Sequence, residues 1–365
     1  MKIGIDARLT YYRTGGISTY TRQLIHALEK IDTENSYVVF HSRKDKQTIN
    51  QQFDRANLWT PAHHQIERLA LSAELLRHQL DVLHSPDFIP PYRGAKKHVI
   101  TVHDLTFLHY PQYLTADSRR YYNDQIGTAC QHADHILAVS EATKHDLIKM
   151  LHVPAEKISV QPHGVSARYK PLLDTEITPV RDALSLPEHY ILHVGTWEPR
   201  KNILGLLTGY KLLLEKIPDA PPVVLVGRPG WLFGSVQKEI EALGINEHLL
   251  WRDTVSDEQL PAVYNAAMML VSPSFYEGFG MPALEAMACG TMPIVSNRSS
   301  LPEVVGNVGL LVDPDDPSDI AAALYKGLHE DDWRIAQQAA GIERAQQFTW
   351  ERSAEIALRA YTTLR

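Results

Sequence analysis

Two acidic residues on either side of a glycine-rich turn carry the strongest chemical signal in this 365-residue sequence. Glu277 and Glu285 are separated by seven residues. A carboxylate has two acceptor oxygens, so each acid is suited to the vicinal hydroxyls of a sugar. We expect one acid to bind a ribose and the other to bind a sugar on the far side of a diphosphate. In the alternative reading, Glu277 is a solvated loop acid and Glu285 only complements a helix start.

The residues between the two acids predict an anion site. Glycines allow the backbone to approach a ligand closely, and Pro282 suits the first turn of a helix that ends near Gly290. Amide groups at such a helix start, together with the helix dipole, hold phosphate without a metal. The predicted amide donors are those of Phe279, Gly280 and Met281.

A pair of basic residues is expected to reach the same anion. Arg200 and Lys201 follow an apolar run, Tyr190 to Val194, and precede a helical pattern that begins near Ile203. The Lys201 ammonium would neutralise a diphosphate leaving group and Arg200 would add a bidentate fork. Arg228, within Gly-Arg-Pro-Gly, is a further candidate for a phosphate contact. The alternative is a basic pair on an exposed helix start, where the dipole disfavours cations.

The first half contributes two weaker signals. His103 follows an apolar strand ending at Val102, where its imidazole would bind a sugar hydroxyl or hold the reacting groups in line. Gly15 and Gly16 precede a helix near Ile17 and would present amide groups to a phosphate or to the acceptor. A lone histidine and a double glycine also occur in purely structural settings.

Both halves alternate short apolar runs with longer stretches of helical spacing, which predicts an α/β fold of parallel strands and crossover helices. Open sheets of this kind bind ligands at the carboxyl ends of their strands. The predicted strands are Lys2 to Ile5, Tyr37 to Phe40, Val82 to His84, His98 to Val102, His135 to Val139, Tyr190 to Val194, Val223 to Val226, Leu249 to Trp251, Met268 to Val271, Met292 to Val295 and Gly309 to Val312.

The proline-rich stretch before Pro187 predicts a division into domains. We expect a first domain at 1–168, a linker at 169–187 and a second domain at 188–348. The remaining residues, 349–365, have the pattern of an amphipathic helix that packs back on the first domain.

Composition narrows the class of protein. The formal net charge is −7, but residues 1–170 hold 21 Lys+Arg against 17 Asp+Glu. A net positive first half is compatible with peripheral contact to an anionic membrane and equally with an ordinary solvated surface. There is no basic stripe for nucleic acid, no apolar run long enough to span a bilayer, and only two cysteines. We therefore expect a cytoplasmic protein without disulfides.

The segment from Glu277 to Gly290 resembles the signature of retaining GT-B glycosyltransferases of family 4. The resemblance extends along the chain: residues 194–202 are similar to that family's diphosphate-binding loop, 255–260 to its base-proximal loop and 14–17 to its amino-terminal glycine loop. His103 matches the position of the family's active-site histidine. Many members carry an arginine directly after the strand glycine, where this chain has Thr196.

This resemblance implies a GT-B architecture, two Rossmann-like domains with parallel sheets facing across a cleft. It implies a nucleotide-sugar donor on the second domain and a glycan or lipid-linked acceptor on the first. Separately from the resemblance, we expect no cofactor and no metal. Glu277 would contact the donor sugar, Glu285 the ribose, and His103 and Lys201 would serve catalysis with Glu277. Further donor contacts would come from Gly15, Gly16, Thr196, Arg200, Arg228, Val255, Leu260, Phe279, Gly280 and Met281.

The expected reaction is transfer of a hexose, with its anomeric configuration kept, to a hydroxyl group in surface polysaccharide synthesis. GDP-mannose is the preferred donor because the sequence resembles bacterial mannosyltransferases, with UDP-glucose or another UDP-hexose next. Two other classes stay open: a nucleotide-sugar epimerase of the same fold, and a non-catalytic nucleotide-sugar sensor.

Overall fold

A computed structural model describes residues 1–12, 15–64, 66–113, 116–230 and 233–365. The chain forms two compact units. The first comprises Met1–His109, Thr115–Gly164 and Phe348–Arg365, and the second comprises Tyr110–Leu114 and Val165–Gln347. Each unit is built around one parallel sheet.

The sheet of the first unit has seven strands in the order β3-β2-β1-β4-β5-β6-β7, and every described pairing is parallel. The chain adds β2 and β3 on one side of β1 and then returns to add β4 on the other side. The strands are β1 Lys2–Asp6, β2 Ser36–Ser42, β3 Asp54–Leu58, β4 Leu80–Ser85, β5 Ala95–Val102, β6 His135–Ala138 and β7 Ile158–Val160.

The sheet of the second unit repeats this plan with six strands in the order β10-β9-β8-β11-β12-β13, again parallel throughout. Its central strands are nearly continuous apolar runs, as expected where helices cover both faces of a parallel sheet. The strands are β8 Ile191–Val194, β9 Val223–Val226, β10 Leu249–Arg252, β11 Met269–Ser272, β12 Met292–Ser296 and β13 Leu310–Val312.

Crossover helices connect the strands and pack on both sheets. In chain order they are α1 Leu9–Tyr12, α2 Gly16–Ile31, α3 Glu67–Leu75, α4 Thr106–His109, α5 Ala116–His132, α6 Glu141–Leu151, α7 Asp174–Ala183, α8 Ile203–Leu214, α9 Phe233–Ala242, α10 Leu260–Ala266, α11 Met281–Ala288, α12 Leu301–Val305, α13 Pro317–His329, α14 Asp331–Ala345 and α15 Trp350–Thr363. None of the helices in the described ranges combines the length and apolar character that a membrane span requires.

All eleven strands expected from the sequence are present, with ends shifted by two residues at most except at the start of β5. The sequence analysis missed β3 and β7, because Asp54–Leu58 is polar and Ile158–Val160 has only three residues. Residues 169–187 were expected to form the linker between the domains. That stretch instead contains α7, which packs against α10 within the second unit despite Pro179.

The last helix, α15, belongs to the core of the first unit. Its apolar face, including Ala354 and Ala357, packs with Leu24 and Leu28 of α2 in one buried cluster. The side-chain amide of Gln161 donates to the Ser353 carbonyl at 2.9 Å. A polar network inside this core connects Tyr361 to His84 and His84 to Thr101, at 2.7 and 2.8 Å. The helix is therefore fixed by both apolar burial and hydrogen bonds.

Gly164 marks the closest approach between α15 and the rest of this unit. A Cβ atom at Gly164 would lie 2.2 Å from the backbone nitrogen of Trp350. We therefore expect Gly164→Ala to lower the free energy of unfolding by about 1–3 kcal/mol through overpacking. Gly127→Ala on α5 is the matched control, because a Cβ there meets no atom within 4 Å. The control should be neutral or stabilising by up to about 1 kcal/mol. Calorimetric unfolding of both variants checks this, and equal transitions would contradict it.

Candidate functional site

The site in the second unit lies where the order of strands reverses. The chain runs from β8 to β9 and β10 on one side, and β11 then pairs with the other edge of β8. At such a switch point the loops after the two central strands diverge and leave a crevice. Lys201 lies in the connection after β8, and Glu277 lies in the connection after β11. Residues 76 positions apart in sequence thus meet at one sheet edge.

Glu277 is the centre of a buried charge cluster. Its carboxylate accepts a hydrogen bond from Lys201 Nζ at 2.6 Å and another from Arg200 Nη1 at 3.1 Å. Arg200 Nη2 also pairs with Glu198 at 2.6 Å. The Glu277 side chain is only 10% exposed. Burial alone would raise the pKa of Glu277, but Lys201 and Arg200 outweigh burial and lower that pKa to about 2.

For Lys201 the balance differs, because burial outweighs the attraction of the neighbouring carboxylate. Burial lowers the pKa of its ammonium, and the attraction of Glu277 only partly offsets this effect. An ammonium group carries three hydrogens, and one of them is directed to Glu277. Two donor directions thus remain for an incoming anion.

Asn202 explains how the chain positions Lys201. It takes up a left-handed conformation, with φ of 55°, and its side chain caps α8 by accepting from Gly205 N at 3.2 Å. The same side chain donates to the carbonyls of Pro273 and Pro314 at 3.1 and 2.7 Å. Asn202 therefore fastens the Lys201 turn to the segment that leads into Glu277.

Two serines hold the Glu277 loop from the other side. The Glu277 backbone N–H donates to Ser299 Oγ at 2.9 Å. The Ser300 hydroxyl lies 2.8 Å from the carbonyl oxygens of both Glu277 and Phe279. Both serines follow β12, so three neighbouring strands contribute to one charge cluster.

Gly280 and Met281 form the predicted helix start. Gly280 caps α11 with φ of 102°, and a Cβ there would lie 2.6 Å from Leu301 Cδ2. A side chain at this position is therefore disfavoured both by the backbone conformation and by the contact with Leu301. Among the described residues, the backbone N–H groups of Gly280 and Met281 have no acceptor. These two amides and the positive end of the α11 dipole form a surface suited to an anion.

Thr196 and Arg228 lie on adjacent loops. Trp197 N donates to the Arg228 carbonyl at 2.8 Å, which joins the loop after β8 to the loop after β9. The two loops lie so close together that a Cβ at Gly227 would be 1.9 Å from the Gly195 carbonyl oxygen. The Arg228 side chain is exposed, whereas Arg200 is held at Glu277.

Glu285 lies in a different environment from Glu277. Tyr264 Oη donates to its carboxyl group at 2.8 Å, and the Tyr169 hydroxyl is a second donor. Burial raises the pKa of Glu285 to about 7, because the tyrosine hydrogen bonds lower it less than burial raises it. Val255, in the loop after β10, and Leu260, the first residue of α10, are both half-buried.

The remaining predicted residues belong to the first unit. His103 follows β5, and its Nε2 lies 2.9 Å from the Pro86 carbonyl. Burial lowers the pKa of His103, which favours the neutral imidazole as a donor to Pro86. Gly15 precedes α2 with φ of 141°, and a Cβ at Gly15 or Gly16 would meet no atom within 4 Å. Thr14, from the predicted glycine loop, lies outside the described residues.

The sequence analysis missed several residues that shape the site. Among them is His193 on β8, which is fully buried. His193 Nδ1 contacts the Val271 carbonyl at 2.9 Å, whereas its Nε2 has no partner among the described residues. A histidine inside an otherwise apolar strand is a signal that could have identified it. Nothing in the local sequence marks Ser299, Tyr169 or Tyr264.

No group of three or more histidine, cysteine or acidic side chains in the described part of the chain has a geometry that could hold a metal ion. The pattern Asp-x-Asp does occur at Asp313 and Asp315. There, Arg298 Nη2 pairs with the two carboxylates at 2.8 and 2.5 Å.

Comparison with known families gives two matches that together span most of the chain. Residues 176–348 match the family model described as glycosyl transferases group 1. Residues 14–169 match the model described as glycosyltransferase family 4.

Curated relatives include O-antigen chain mannosyltransferase B of Escherichia coli, which is 37% identical over 78% of this chain and 74% of its own length. A D-inositol 3-phosphate glycosyltransferase of Corynebacterium jeikeium is 33% identical over 68% of this chain and 61% of its own length. The serotype-specific mannosyltransferase WbdA of Escherichia coli is 30% identical over 76% of this chain, which spans only 34% of that protein.

Solved structures share the fold along the whole chain. Sucrose-phosphate synthase from Thermosynechococcus elongatus superposes with a TM-score of 0.77 at 22% sequence identity, covering 100% of this chain and 98% of that one. At this identity the likeness concerns the fold.

The raised pKa of Glu285 predicts a pH-dependent stability. A carboxyl group with a folded-state pKa of about 7, above its usual 4.5, stabilises the folded state below pH 4.5. That contribution is lost as the pH rises through 7. Glu285→Gln mimics the protonated form, so the variant should match the parent near pH 4 and unfold at a higher temperature near pH 8.

Thermal unfolding without nucleotide at the two pH values measures this difference. Glu239→Gln on α9, an exposed site, is the control and should follow the parent at both pH values. Equal midpoints for the parent and Glu285→Gln at pH 8 would show that the carboxyl group titrates normally.

Proposed function

This chain belongs to the family 4 glycosyltransferases, also called glycosyl transferases group 1, and we propose on that premise that it transfers mannose from GDP-mannose to a hydroxyl group of a glycan or lipid-linked acceptor. The anomeric configuration is retained, and the product contributes to a surface polysaccharide. The observation that carries the proposal is the buried Lys201–Glu277 pair beside the start of α11.

The diphosphate of the donor is held by cations and amides. Lys201 offers the two ammonium hydrogens that Glu277 does not take, and Gly280 and Met281 offer backbone N–H groups. As the bond between sugar and phosphate breaks, negative charge grows on the diphosphate, and these fixed donors stabilise it. Arg200 acts through Glu277, which it keeps ionised, and exposed Arg228 reaches the phosphates from the neighbouring loop.

Glu277 binds the hydroxyls of the transferred sugar. Its carboxylate accepts from Lys201, Arg200 and the Ser274 hydroxyl, which leaves acceptor capacity for a hydroxyl group of the donor. A carboxylate with a pKa of about 2 is a weak base and a weak nucleophile. We therefore assign Glu277 to sugar positioning, and the departing diphosphate takes the proton of the acceptor hydroxyl.

Glu285 binds the ribose hydroxyls of the nucleotide, beside the loop that contains Val255 and the start of α10 at Leu260. The ionised carboxylate is the better acceptor for a diol, so donor binding favours loss of the proton that Glu285 holds in the free protein. In the first unit, Gly15 and Gly16 leave open space beside their backbone, and His103 lies at the end of β5. We assign these three residues to the reacting end of the donor and to the acceptor hydroxyl.

The support for mannose comes from the relatives named as mannosyltransferases, above all the one that is 37% identical. A thermal-shift panel of nucleotide sugars tests this donor. A ligand at 100 times its dissociation constant adds about 2.7 kcal/mol to stability, and we expect GDP-mannose to give the largest shift. A larger shift with UDP-glucose would contradict mannose as the donor sugar and indicate glucose.

The same panel, followed by product analysis, separates the competing functions. Formation of an α-mannoside and free GDP supports the proposal, and a β-linked product would contradict retention. Conversion of the donor to an epimer without any acceptor would indicate an epimerase. Binding without turnover in the presence of cell-derived glycans would indicate a sensor.

Substitutions at the two acids should separate binding from turnover. Glu285→Ala should weaken GDP-mannose binding by about 1 to 3 kcal/mol, the scale for loss of charge-assisted hydrogen bonds. Glu277→Gln should mainly lower kcat. Calorimetric titration and initial rates measure both effects, with exposed Glu239→Ala as the control. If both variants bound and turned over the donor as the parent does, the assignment would be wrong.

A further inference from the structure

An open groove of about 750 Å³ lies at the amino ends of β4 and β5 in the first unit. Leu80 and Ala95, the first residues of these two strands, line it, and so do His98 and His132. Because His103 follows the other end of β5, the groove lies at the opposite edge of the sheet from that residue. It is therefore separate from the positions that the proposed reaction uses in this unit.

Three buried nitrogen atoms in and beside this groove have no hydrogen-bond partner among the described residues: Arg68 Nη2, His98 Nδ1 and His132 Nε2. Arg68 is only 8% exposed and His98 only 4%. The rings of His98 and His132 are 4.8 Å apart, and the Arg68 guanidinium lies 4.1 Å over Tyr92, which also lines the groove. Unpaired buried polar atoms are unfavourable, so three in one cluster point to a ligand.

The charge of this cluster favours an anion. Arg68 Nε donates to the Pro90 carbonyl at 2.9 Å, but the guanidinium forms no ion pair with a carboxylate in the described ranges. A buried charge without a counter-charge is costly. Asp134, the one acid among the described lining residues, is already paired: it accepts from the His98 backbone N–H at 2.8 Å and from Lys97 Nζ at 2.9 Å. An added anion would supply the missing counter-charge.

The tautomer of His132 shows how this ring can adapt to an anion. One of its ring nitrogens donates to the Pro91 carbonyl, and Nε2 is the nitrogen without a partner. In the neutral ring Nε2 therefore carries a lone pair, and it becomes a donor only when the ring takes up a proton. Binding of an anion at Nε2 is thus coupled to uptake of one proton.

The charged neighbours of both rings oppose that proton in the free protein. Burial lowers the pKa of His98 to about 4 and also lowers the pKa of His132, and the charge of Arg68 lowers both further. Asp134 acts in the opposite sense on both rings, and Lys157 lowers the pKa of His132. A bound anion adds negative charge beside the rings and favours their protonated forms.

A phosphate group fits this arrangement better than a carboxylate. A phosphomonoester has three acceptor oxygens, one for each unpartnered nitrogen, whereas a carboxylate has two. The groove also has an apolar side, because Leu76 and Tyr92 line it and are 61% and 46% exposed. Arg93 and Lys96 add positive charge to the lining, although Lys96 pairs with Asp81 at 2.8 Å.

We propose that this groove is a phosphate site in which Arg68 and the imidazoles of His98 and His132 hold the phosphate oxygens. The phosphate belongs either to a free phosphate ion or to the headgroup of a lipid. In the second case the apolar part of the lipid lies against Leu76 and Tyr92. The site does not depend on the donor site of the second unit.

Calorimetric titration of the full chain with inorganic phosphate tests the site. GDP is present throughout, so that the proposed donor site does not take the added phosphate. The parent should bind phosphate, and both Arg68→Gln and His132→Gln should weaken that binding by about tenfold or more, because each removes a positive charge from the bound state. His132→Gln also keeps the falsifiability of the test if Arg68→Gln fails to fold.

His135→Gln is the matched control. His135 lies three residues along the chain from His132, is half-buried like it, and does not line the groove. This variant should bind phosphate as the parent does. The contrast between the two histidine variants decides the groove whether or not GDP binds, so its result is distinct from that of the donor panel.

Sulfate tests the coupling to protons, because it stays a dianion at neutral pH and only the protein titrates. Sulfate affinity of the parent should fall by about threefold or more between pH 6 and pH 8, since the protonated rings favour the anion. The fall should be smaller in His132→Gln. An affinity that does not depend on pH in the parent would contradict the assignment of the imidazoles.

Vesicle sedimentation distinguishes the two sources of phosphate. The vesicles contain phosphatidylcholine alone, or one part phosphatidic acid to four parts phosphatidylcholine. A lipid headgroup is the source if the parent sediments only with phosphatidic acid and if Leu76→Ser reduces this binding while Ile335→Ser, an equally exposed site on α14, does not. Phosphate binding in solution without sedimentation identifies the free ion.

The proposal is overturned if the parent binds neither inorganic phosphate nor the phosphatidic acid vesicles. It is equally overturned if His132→Gln and His135→Gln bind phosphate with the same affinity, because the phosphate would then lie elsewhere.

Discussion

The buried ion pair between Lys201 and Glu277 is the interaction on which the second unit's site depends. Placing two charges in a poorly solvated crevice costs free energy that their mutual attraction recovers only when the geometry is good. Here the geometry is fixed from several directions, by Asn202 beneath Lys201 and by Ser299 and Ser300 around the Glu277 backbone. A buried ion pair is on its own weak evidence for stability, so we propose that this extensive support serves ligand binding.

Both units place charged residues at the same topological position, although the residue types differ between the two. In each parallel sheet the strand order reverses beside the first strand, and the loops after two central strands bring together charged residues that are distant in sequence. The second unit places ammonium and amide donors there, which suit a diphosphate. The first unit places the carboxylates of Asp6 and Glu67 around the guanidinium of Arg8. The proposed assignment of the donor to the second unit is consistent with these donor groups.

The sequence alone was sufficient for the fold class and the family, whereas the donor-binding roles of Glu277, Glu285 and Lys201 stay predictions. The GT-B fold class and the family are confirmed, because continuous apolar runs mark buried parallel strands and the Glu277 segment is local in sequence. Features that depend on contacts between residues distant in the chain could not be predicted from the sequence. The partners of Glu285 are Tyr264 and Tyr169, so its pKa of about 7 has no local signature. Helix α7 was also missed, because Pro179 obscures its helical pattern.

The most direct test of this account is a crystal structure of the protein with an intact nucleotide sugar and the Lys201 and Glu277 side chains resolved. The account predicts diphosphate oxygens at about 3 Å from Lys201 Nζ and from the Met281 amide, with the transferred sugar against Glu277 and the ribose against Glu285. A nucleotide sugar bound at another edge of the sheet, with the Lys201–Glu277 pair untouched, would contradict it.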